Sequence, residues 1–140
     1  MDKKKSREDY LETIYSLSLE RELVRAIDIA RERDFSRPSV SIALKKLVID
    51  GLINIQENGN IVLTRKGLPL AIHTYDKHQT IATLLMNMGV SKTTAYDDAC
   101  KMEHGISDES LDKIKDFIGQ CYILSKNKKE PFSCQNALFD

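Results

Sequence analysis

Apolar residues recur every three to four positions along the first fifty residues, which is the spacing of amphipathic helices. This pattern predicts helices over about 7–19, 25–33 and 36–47. Two short β-rich runs follow at 52–55 and 61–63, and they flank an Asn-Gly turn that is typical of a β-hairpin. A helix, a helix–turn–helix and a hairpin in this order predict a winged helix.

Apolar spacing of the same kind continues in the second half of the chain. It predicts a long helix over about 64–88 and two further helices that open at Ser91 and Ser107. A helical unit this small buries little apolar surface by itself, so we expect it to self-associate. We therefore predict a mainly α protein, with a winged helix-turn-helix domain carrying a small β-hairpin wing at 1–72 and an α-helical dimerisation domain at 73–140.

The composition is that of a folded protein rather than of a disordered chain. Apolar residues make up 41% and charged residues 30% of the 140 positions, with a formal net charge of 0. The three cysteines are an odd number at irregular spacings, which gives no disulfide framework and favours a reducing compartment. No apolar stretch follows the charged N-terminus, and none approaches the ~18 residues of a membrane span. We expect a soluble cytoplasmic protein with a polar, loosely ordered tail from Ser125.

The charges are unevenly distributed, and this asymmetry favours a nucleic-acid partner for the first half. Residues 1–70 carry 13 Lys and Arg against 11 Asp and Glu, a net +2, whereas residues 71–140 carry 8 against 10, a net −2. The third predicted helix leaves small hydroxyl and basic side chains on its exposed face, as a helix in the major groove would. We predict double-stranded DNA contacts from this helix and from the turn of the wing, at Arg37, Pro38, Ser39, Ser41, Lys45 and Asn58. The alternative is a winged helix that makes only protein contacts.

A second group of polar residues falls near the end of the helix that opens at Ser91. Cys100, Glu103 and His104 are spaced i, i+3 and i+4, so they share one side of that helix. Thiolate, carboxylate and imidazole are the side-chain types that bind transition metals. His78 lies in the apolar stripe of the preceding long helix and is a further candidate ligand. The residues alone leave open a core cysteine and histidine, a solvated glutamate and a capping His104.

The winged helix, the histidine and the Cys-x-x-Glu-His motif together resemble the diphtheria toxin repressor family of metal-dependent regulators. The resemblance covers about residues 6–125 and is most specific in EDYLETIY at 8–15 and MEHGIS at 102–107. The chain looks most similar to the short manganese transport regulator branch, which lacks the third, SH3-like domain. The resemblance implies a homodimer that represses metal-uptake genes when metal is bound.

The resemblance also implies a set of metal ligands. In the manganese branch the first helix supplies an Asp and a Glu, the long helix a His, and the next helix Glu-x-x-Glu-His. The matching positions in this chain are Asp9, Glu12, His78, Cys100, Glu103 and His104. Cys100 departs from the manganese pattern and matches the iron branch, which has a Met at the position of Asp9. On the residues alone, a solvated, acidic first turn is the favoured interpretation of Asp9 and Glu12, and the resemblance reverses that preference.

This hybrid set predicts Mn²⁺ or Fe²⁺, at one or two ions per subunit, because carboxylate and imidazole suit Mn²⁺ while a thiolate favours softer metals. We expect that Zn²⁺ or Co²⁺ also occupies the site in vitro. Metal bound by ligands from both domains would tie the domains together and activate DNA binding. Three rival hypotheses are a metal-independent winged-helix regulator that responds to an organic ligand, a metalloenzyme, and a metal storage protein. The last would need more ligands than this chain offers. The chain has no nucleophile motif and no Gly-rich phosphate loop, so we do not expect an enzyme.

Overall fold

The computed structural model describes residues 3–128, with side chains at 6–119, and these residues form six helices and one two-stranded sheet. In chain order the elements are α1 (Lys3–Glu20), α2 (Ala26–Arg33), α3 (Arg37–Ile49), β1 (Ile53–Ile55), β2 (Ile61–Leu63), α4 (Gly67–Asn87), α5 (Lys92–Met102) and α6 (Asp108–Lys128). The predicted fold class, mainly α with a β-hairpin wing, is confirmed. None of the helices in the described part of the chain is long and apolar enough to cross a lipid bilayer.

The chain divides into two compact units, residues 1–75 and residues 76–140, which we call unit 1 and unit 2. The division falls within α4, after residue 75 rather than after residue 72 as expected. The assignment of a separate function to each domain stays a prediction at this point.

The helix–turn–helix of unit 1 forms because local sequence caps its helices. The C-cap residue of α2 is Asp34, which adopts a left-handed conformation with φ 54° and ends the helix. Ser36 then caps α3, and its Oγ accepts a hydrogen bond from the backbone N–H of Ser39 at 3.3 Å. Pro38 lies in the first turn of α3, where a missing N–H is no loss. Gly51, with φ 74°, turns the chain away from α3 toward the wing.

One apolar core holds α1, α2, α3 and the hairpin together. Its buried residues are Tyr10, Leu11, Ile14, Leu17, Val24, Ile29, Ala30, Val40, Leu44, Leu47, Leu52, Ile53, Ile61 and Ala71. On α3, the predicted inner residues Val40, Leu44 and Leu47 are buried, while Ala43 is half-buried. Burial of this side leaves the opposite side of α3 facing solvent, where it is available to another molecule.

The wing is fastened to the loop between α1 and α2. β1 and β2 pair antiparallel, with Ile55 opposite Ile61. The Ile61 N–H donates to the carbonyl of Val24 at 2.8 Å, and Oδ1 of Asn60 accepts from the Val24 N–H at 2.9 Å. These two bonds fix the position of the wing turn, where Gly59 has φ 84°, relative to the start of the helix–turn–helix.

Two helix ends differ from what the sequence led us to expect. α1 begins at Lys3, so Ser6 lies inside the helix and is not its cap. α6 continues through Lys128, although we predicted a loosely ordered tail from Ser125. Neither segment contains Gly or Pro, and short polar runs of Lys, Ser and Asn are tolerated in helices, so polarity alone did not mark the ends. The rest of the predicted tail, residues 129–140, lies outside the described residues.

Unit 2 consists of the end of α4 with α5 and α6. Its centre is formed by buried Ile81, Ala82 and Ala99, with Leu85, Met86, Tyr96 and Ile106 packed against them. Two ion pairs join α4 to α6: Lys115 with Asp76, and Lys77 Nζ with Asp108 Oδ1 at 4.0 Å. Such surface pairs contribute little to stability. They nevertheless show that α4 faces α6 at Asp76 and Lys77.

Gly67, the first residue of α4, lies against the backbone at the start of the wing. A Cβ at Gly67 would lie 1.9 Å from the carbonyl oxygen of Leu52. We expect Gly67→Ala to lower the free energy of unfolding by about 2 kcal/mol or more, because backbone must move to relieve the clash. Gly119 has no described atom within 4 Å of its Cβ position. Gly119→Ala is the matched control, and it should be neutral or stabilising by up to ~1 kcal/mol. Urea unfolding of both variants checks this contrast, and equal effects would contradict it.

Candidate metal centre and DNA-binding surface

Glu103 in unit 2 carries a carboxylate with no solvent-exposed surface (0%). Its Oε2 lies 2.9 Å from Nδ1 of His78, and its Oε1 lies 3.3 Å from Nε2 of His104. A buried carboxylate is costly unless hydrogen bonds, an opposite charge or a metal ion offset the loss of water. His78 hydrogen-bonds Oε2, and the His104 ring approaches Oε1, so both imidazoles help to accommodate the buried carboxylate.

Helix geometry brings a thiol to the same place. Glu103 caps the C-terminus of α5, and its N–H still bonds to the carbonyl of Ala99 at 3.0 Å. Cys100 precedes it by three residues and therefore shares its side of the helix. The Cys100 Sγ, a ring nitrogen of His78 and a carboxylate oxygen of Glu103 all lie within 4.8 Å of one another. The His78 ring is 5.4 Å from that of Tyr96, so α4 and α5 meet at this point.

We refer to His78, Cys100, Glu103 and His104 as the Glu103 cluster. It offers one thiol, two imidazoles and one carboxylate, which is a mixed sulfur, nitrogen and oxygen donor set. Ca²⁺ and Mg²⁺ prefer oxygen ligands alone, whereas first-row transition metals accept all three donor types. The residues present therefore fit a transition metal ion.

The acidic pair predicted on α1 is buried in unit 1. Asp9 and Glu12 are each 7% exposed, which disagrees with the solvated first turn that the residues alone left open. Oδ1 of Asp9 lies 3.1 Å from Nη2 of Arg33, which belongs to α2. Thr13 Oγ1 donates to the backbone carbonyl of Asp9 at 2.7 Å. The Asp9 carboxylate thus has an internal cationic partner in the structure.

Two aromatic residues, Tyr10 and Phe35, lie close to this ion pair. The rings of Tyr10 and Phe35 are 5.4 Å apart, and the Arg33 guanidinium carbon lies 5.8 Å from the centre of the Phe35 ring. Burial raises the pKa of Tyr10 above its ordinary value, and the nearby Arg33 charge opposes part of that rise. Sequence reasoning missed Arg33, because no local spacing connects a residue at the end of α2 with Asp9 on α1.

All six residues predicted to contact DNA are exposed on unit 1, namely Arg37, Pro38, Ser39, Ser41, Lys45 and Asn58. Arg37 and Lys45 form no ion pair with a described residue, so their charges are available to phosphates. Ile42 was not assigned from the sequence, yet it is 71% exposed on the same side of α3. On a helical wheel Ile42 lies away from the buried residues Val40 and Leu44, so the apolar periodicity alone predicts that it is exposed.

The structure brings four of the six predicted metal ligands together in the Glu103 cluster. The other two, Asp9 and Glu12, are one helical turn apart on α1 of unit 1. A metal centre that uses both sets stays a prediction.

A winged helix with an exposed basic and hydroxyl face, followed by a helical unit with a transition-metal donor set, defines the class of metal-responsive DNA-binding regulators. Residues 4–61 match the iron dependent repressor N-terminal DNA binding domain. Residues 64–131 match the iron dependent repressor metal binding and dimerisation domain. The chain belongs to the iron dependent repressor family, a family of metal-dependent transcriptional regulators. The resemblance to the diphtheria toxin repressor family is thereby confirmed.

Individual relatives agree with this membership and confirm the resemblance to the manganese branch. An uncharacterised HTH-type transcriptional regulator of Methanocaldococcus jannaschii is 36% identical over 115 residues, which cover 81% of this chain and 92% of that protein. The transcriptional regulator MntR of Escherichia coli O6:H1 is 36% identical over 110 residues, which cover 79% of this chain and 71% of that protein. The solved structure of the manganese regulator SloR matches with a TM-score of 0.72 at 33% identity, covering 81% of this chain and 53% of SloR. This chain therefore spans about half the length of SloR.

A metal ion at the Glu103 cluster should protect Cys100 from alkylation, because a metal-bound thiolate is no longer a free nucleophile. Cys100 is a partly exposed cysteine that forms no disulfide with a described residue, so a small reagent has access to it. We expect saturating Mn²⁺ or Co²⁺ to slow its alkylation by about tenfold, measured by mass spectrometry of the digested protein. Cys121 and Cys134 belong to no predicted ligand set and are internal references. Equal protection at all three cysteines, or none at Cys100, would contradict metal binding at the cluster.

Proposed function

We propose that this protein is a metal-dependent DNA-binding regulator that represses genes of metal-ion uptake or homeostasis and responds to Mn²⁺ or Fe²⁺. The observation that carries the proposal is the fully buried Glu103 carboxylate, which two imidazoles and a thiol surround in a chain that also has a winged helix. The matched domains, one for DNA binding and one for metal binding and dimerisation, support it. So does the similarity to MntR, a transcriptional regulator, and to SloR, a manganese regulator. A cytoplasmic location stays a prediction.

The proposed metal ligands come from both units of the chain and would bind one or two ions per subunit. They are Asp9 and Glu12 of unit 1 with His78, Cys100, Glu103 and His104 of unit 2. An ion held by both sets would link the DNA-binding unit to the dimerisation unit. In a homodimer, the two copies of α3 would then be held about one DNA turn apart, ~34 Å. A shift in the ratio of linked to unlinked protein from 1:99 to 99:1 requires the metal to bind the linked state more tightly by about 5.5 kcal/mol. Several metal–ligand bonds are strong enough to supply this difference.

The exposed side of α3 would enter the major groove, and the wing would lie along the backbone. Arg37 and Lys45 would neutralise phosphates, while Ser39 and Ser41 offer hydroxyls for hydrogen bonds. Ile42 adds an apolar contact suited to the methyl group of thymine. Asn58 would contact a phosphate from the wing turn, where its Oδ1 accepts from the Asn60 N–H at 3.0 Å.

Cys100 is the residue that should decide which metal is preferred. Five of the six proposed ligands are carboxylates and imidazoles, which suit Mn²⁺. The sixth, the Cys100 thiolate, is a softer donor and moves preference toward Fe²⁺, Co²⁺ or Zn²⁺. In vitro the tightest-binding metal follows the Irving–Williams order, so affinity alone does not identify the metal sensed in the cell.

The first experiment measures binding of the full chain to a palindromic family-type operator in chelator, in Mn²⁺ and in Fe²⁺ under anaerobic conditions. We expect DNA affinity at least about a hundredfold higher with either metal than with chelator. Cys100→Glu should move the preference toward Mn²⁺, because the soft thiolate is replaced by a carboxylate. The readout is the metal concentration that gives half-maximal DNA binding for each ion.

Asp9→Ala is the matched test of the link between the two units. It should abolish metal stimulation of DNA binding while the metal-free protein keeps its weak, non-specific affinity. Equal DNA binding in chelator and in metal would favour the metal-independent regulator that responds to an organic ligand. Substrate turnover by the metal-loaded protein would favour the metalloenzyme.

Lys45 on α3 should contribute to DNA affinity through a phosphate contact. We expect Lys45→Gln, in saturating metal, to lower the slope of log K against log salt by about 0.9 per subunit. Lys113→Gln removes the same charge from an exposed position on α6, which has no ion pair among the described residues, and should leave the slope unchanged. Identical slopes for the two variants would contradict a phosphate contact at Lys45.

A further inference from the structure

We propose that Arg33 is an internal competitor for the metal ion at Asp9, and that it thereby sets the metal concentration at which the regulator responds. The inference rests on the proposed function, because it takes Asp9 to be a metal ligand. It concerns a residue outside the predicted ligand set, and all of its evidence lies within unit 1.

The geometry of the pair is well defined. Nη2 of Arg33 lies 3.1 Å from Oδ1 of Asp9, and the two side chains are 22% and 10% exposed. The Arg33 guanidinium also lies over the Phe35 ring, which packs against Tyr10 next to Asp9 in the chain. The guanidinium is therefore held beside Asp9 by an aromatic contact as well as by charge.

A guanidinium and a metal ion are both attracted to the electron pairs of the same carboxylate. An ion that binds Asp9 must either displace the Arg33 hydrogen bond or share the carboxylate with a positive charge close by. Both alternatives weaken cation binding, and the partial burial of the pair limits the screening of that charge by water. Removal of the Arg33 charge should therefore make metal binding tighter.

The opposite role, in which Arg33 positions Asp9 for the metal, predicts weaker metal binding after substitution, because outer partners orient ligand carboxylates. The structure gives less support to that role. Asp9 is already fixed in α1 by its buried neighbours Tyr10 and Leu11, and Thr13 bonds to its backbone carbonyl at 2.7 Å. The main-chain position of Asp9 thus does not depend on Arg33, whereas the charge next to its carboxylate does.

The test is calorimetric titration of Mn²⁺ into the full metal-free chain. We expect Arg33→Gln to bind Mn²⁺ about tenfold more tightly than the wild type, a difference of 1.4 kcal/mol. Arg31→Gln is the matched control, since it removes the same charge from α2 at an exposed position without an ion pair to a described residue. Its affinity should stay within about twofold of the wild type. Arg33→Met, which keeps a long apolar stem over Phe35, is made in parallel so that one folded variant without the charge is available.

Arg33→Lys keeps the charge without the planar fork and should bind Mn²⁺ close to the wild-type affinity. Asp9→Asn should bind it more weakly than the wild type, because the ligand is lost. Unchanged or weaker binding in both uncharged Arg33 variants overturns the proposal, as does equal tightening in Arg31→Gln or wild-type affinity in Asp9→Asn. If the wild type itself binds neither Mn²⁺ nor Fe²⁺, the proposed function fails together with this inference. Intact wild-type binding with an unaltered Arg33→Gln contradicts the inference alone.

Discussion

The burial of the Glu103 carboxylate is the constraint on which unit 2 depends. To remove a carboxylate from water costs on the order of several kcal/mol, and the cost is tolerable only where partners surround the group. α4 must therefore present His78 at the level where α5 ends, and the chain must turn so that His104 follows directly. The same packing brings the Cys100 thiol into the group. The packing that buries the Glu103 carboxylate therefore also brings four side chains of metal-ligand type together.

Unit 1 also buries carboxylates, and there the partner of Asp9 is an arginine. Its first helix contributes Tyr10 and Leu11 to the core and also carries two buried carboxylates, Asp9 and Glu12. Arg33 of α2 pairs with the Asp9 carboxylate. The helices α1 and α2 are therefore joined by an ion pair as well as by apolar contacts. Among the residues that the structure describes, Arg37 and Lys45 on the exposed side of α3 have no such ion-pair partner. Charges that are matched inside the unit hold the fold together, and charges that are unmatched on its surface are available to DNA.

Local sequence predicted the elements of this fold better than the contacts between them. The Ser36 cap, the Asn-Gly turn and the spacing of Cys100 and Glu103 each depend on residues a few positions apart, so they could be predicted from the sequence. His104 was expected on the same helix, but α5 ends at Met102 and His104 follows its C-cap. The start of α1 and the extension of α6 to Lys128 could not be predicted, since polar residues are compatible with helix and loop alike. The pairing of Asp9 with Arg33 could not be predicted either, because it joins residues of different helices that are 24 positions apart in the sequence. His78 is intermediate: periodicity placed it in the apolar stripe, and only the fold shows that it meets Glu103.

On the proposed ligand set, metal selectivity and metal affinity depend on different residues. Cys100 would change the chemical softness of the donor set and so favour one ion over another at a given total charge. Arg33 pairs with Asp9 inside unit 1, and its charge would act alike on every divalent ion that approaches Asp9. A substitution at Arg33 should therefore shift the response threshold for all divalent ions together, whereas a substitution at Cys100 should reorder them. This separation would allow the threshold to be tuned to a cell's metal concentration without altering which metal is recognised.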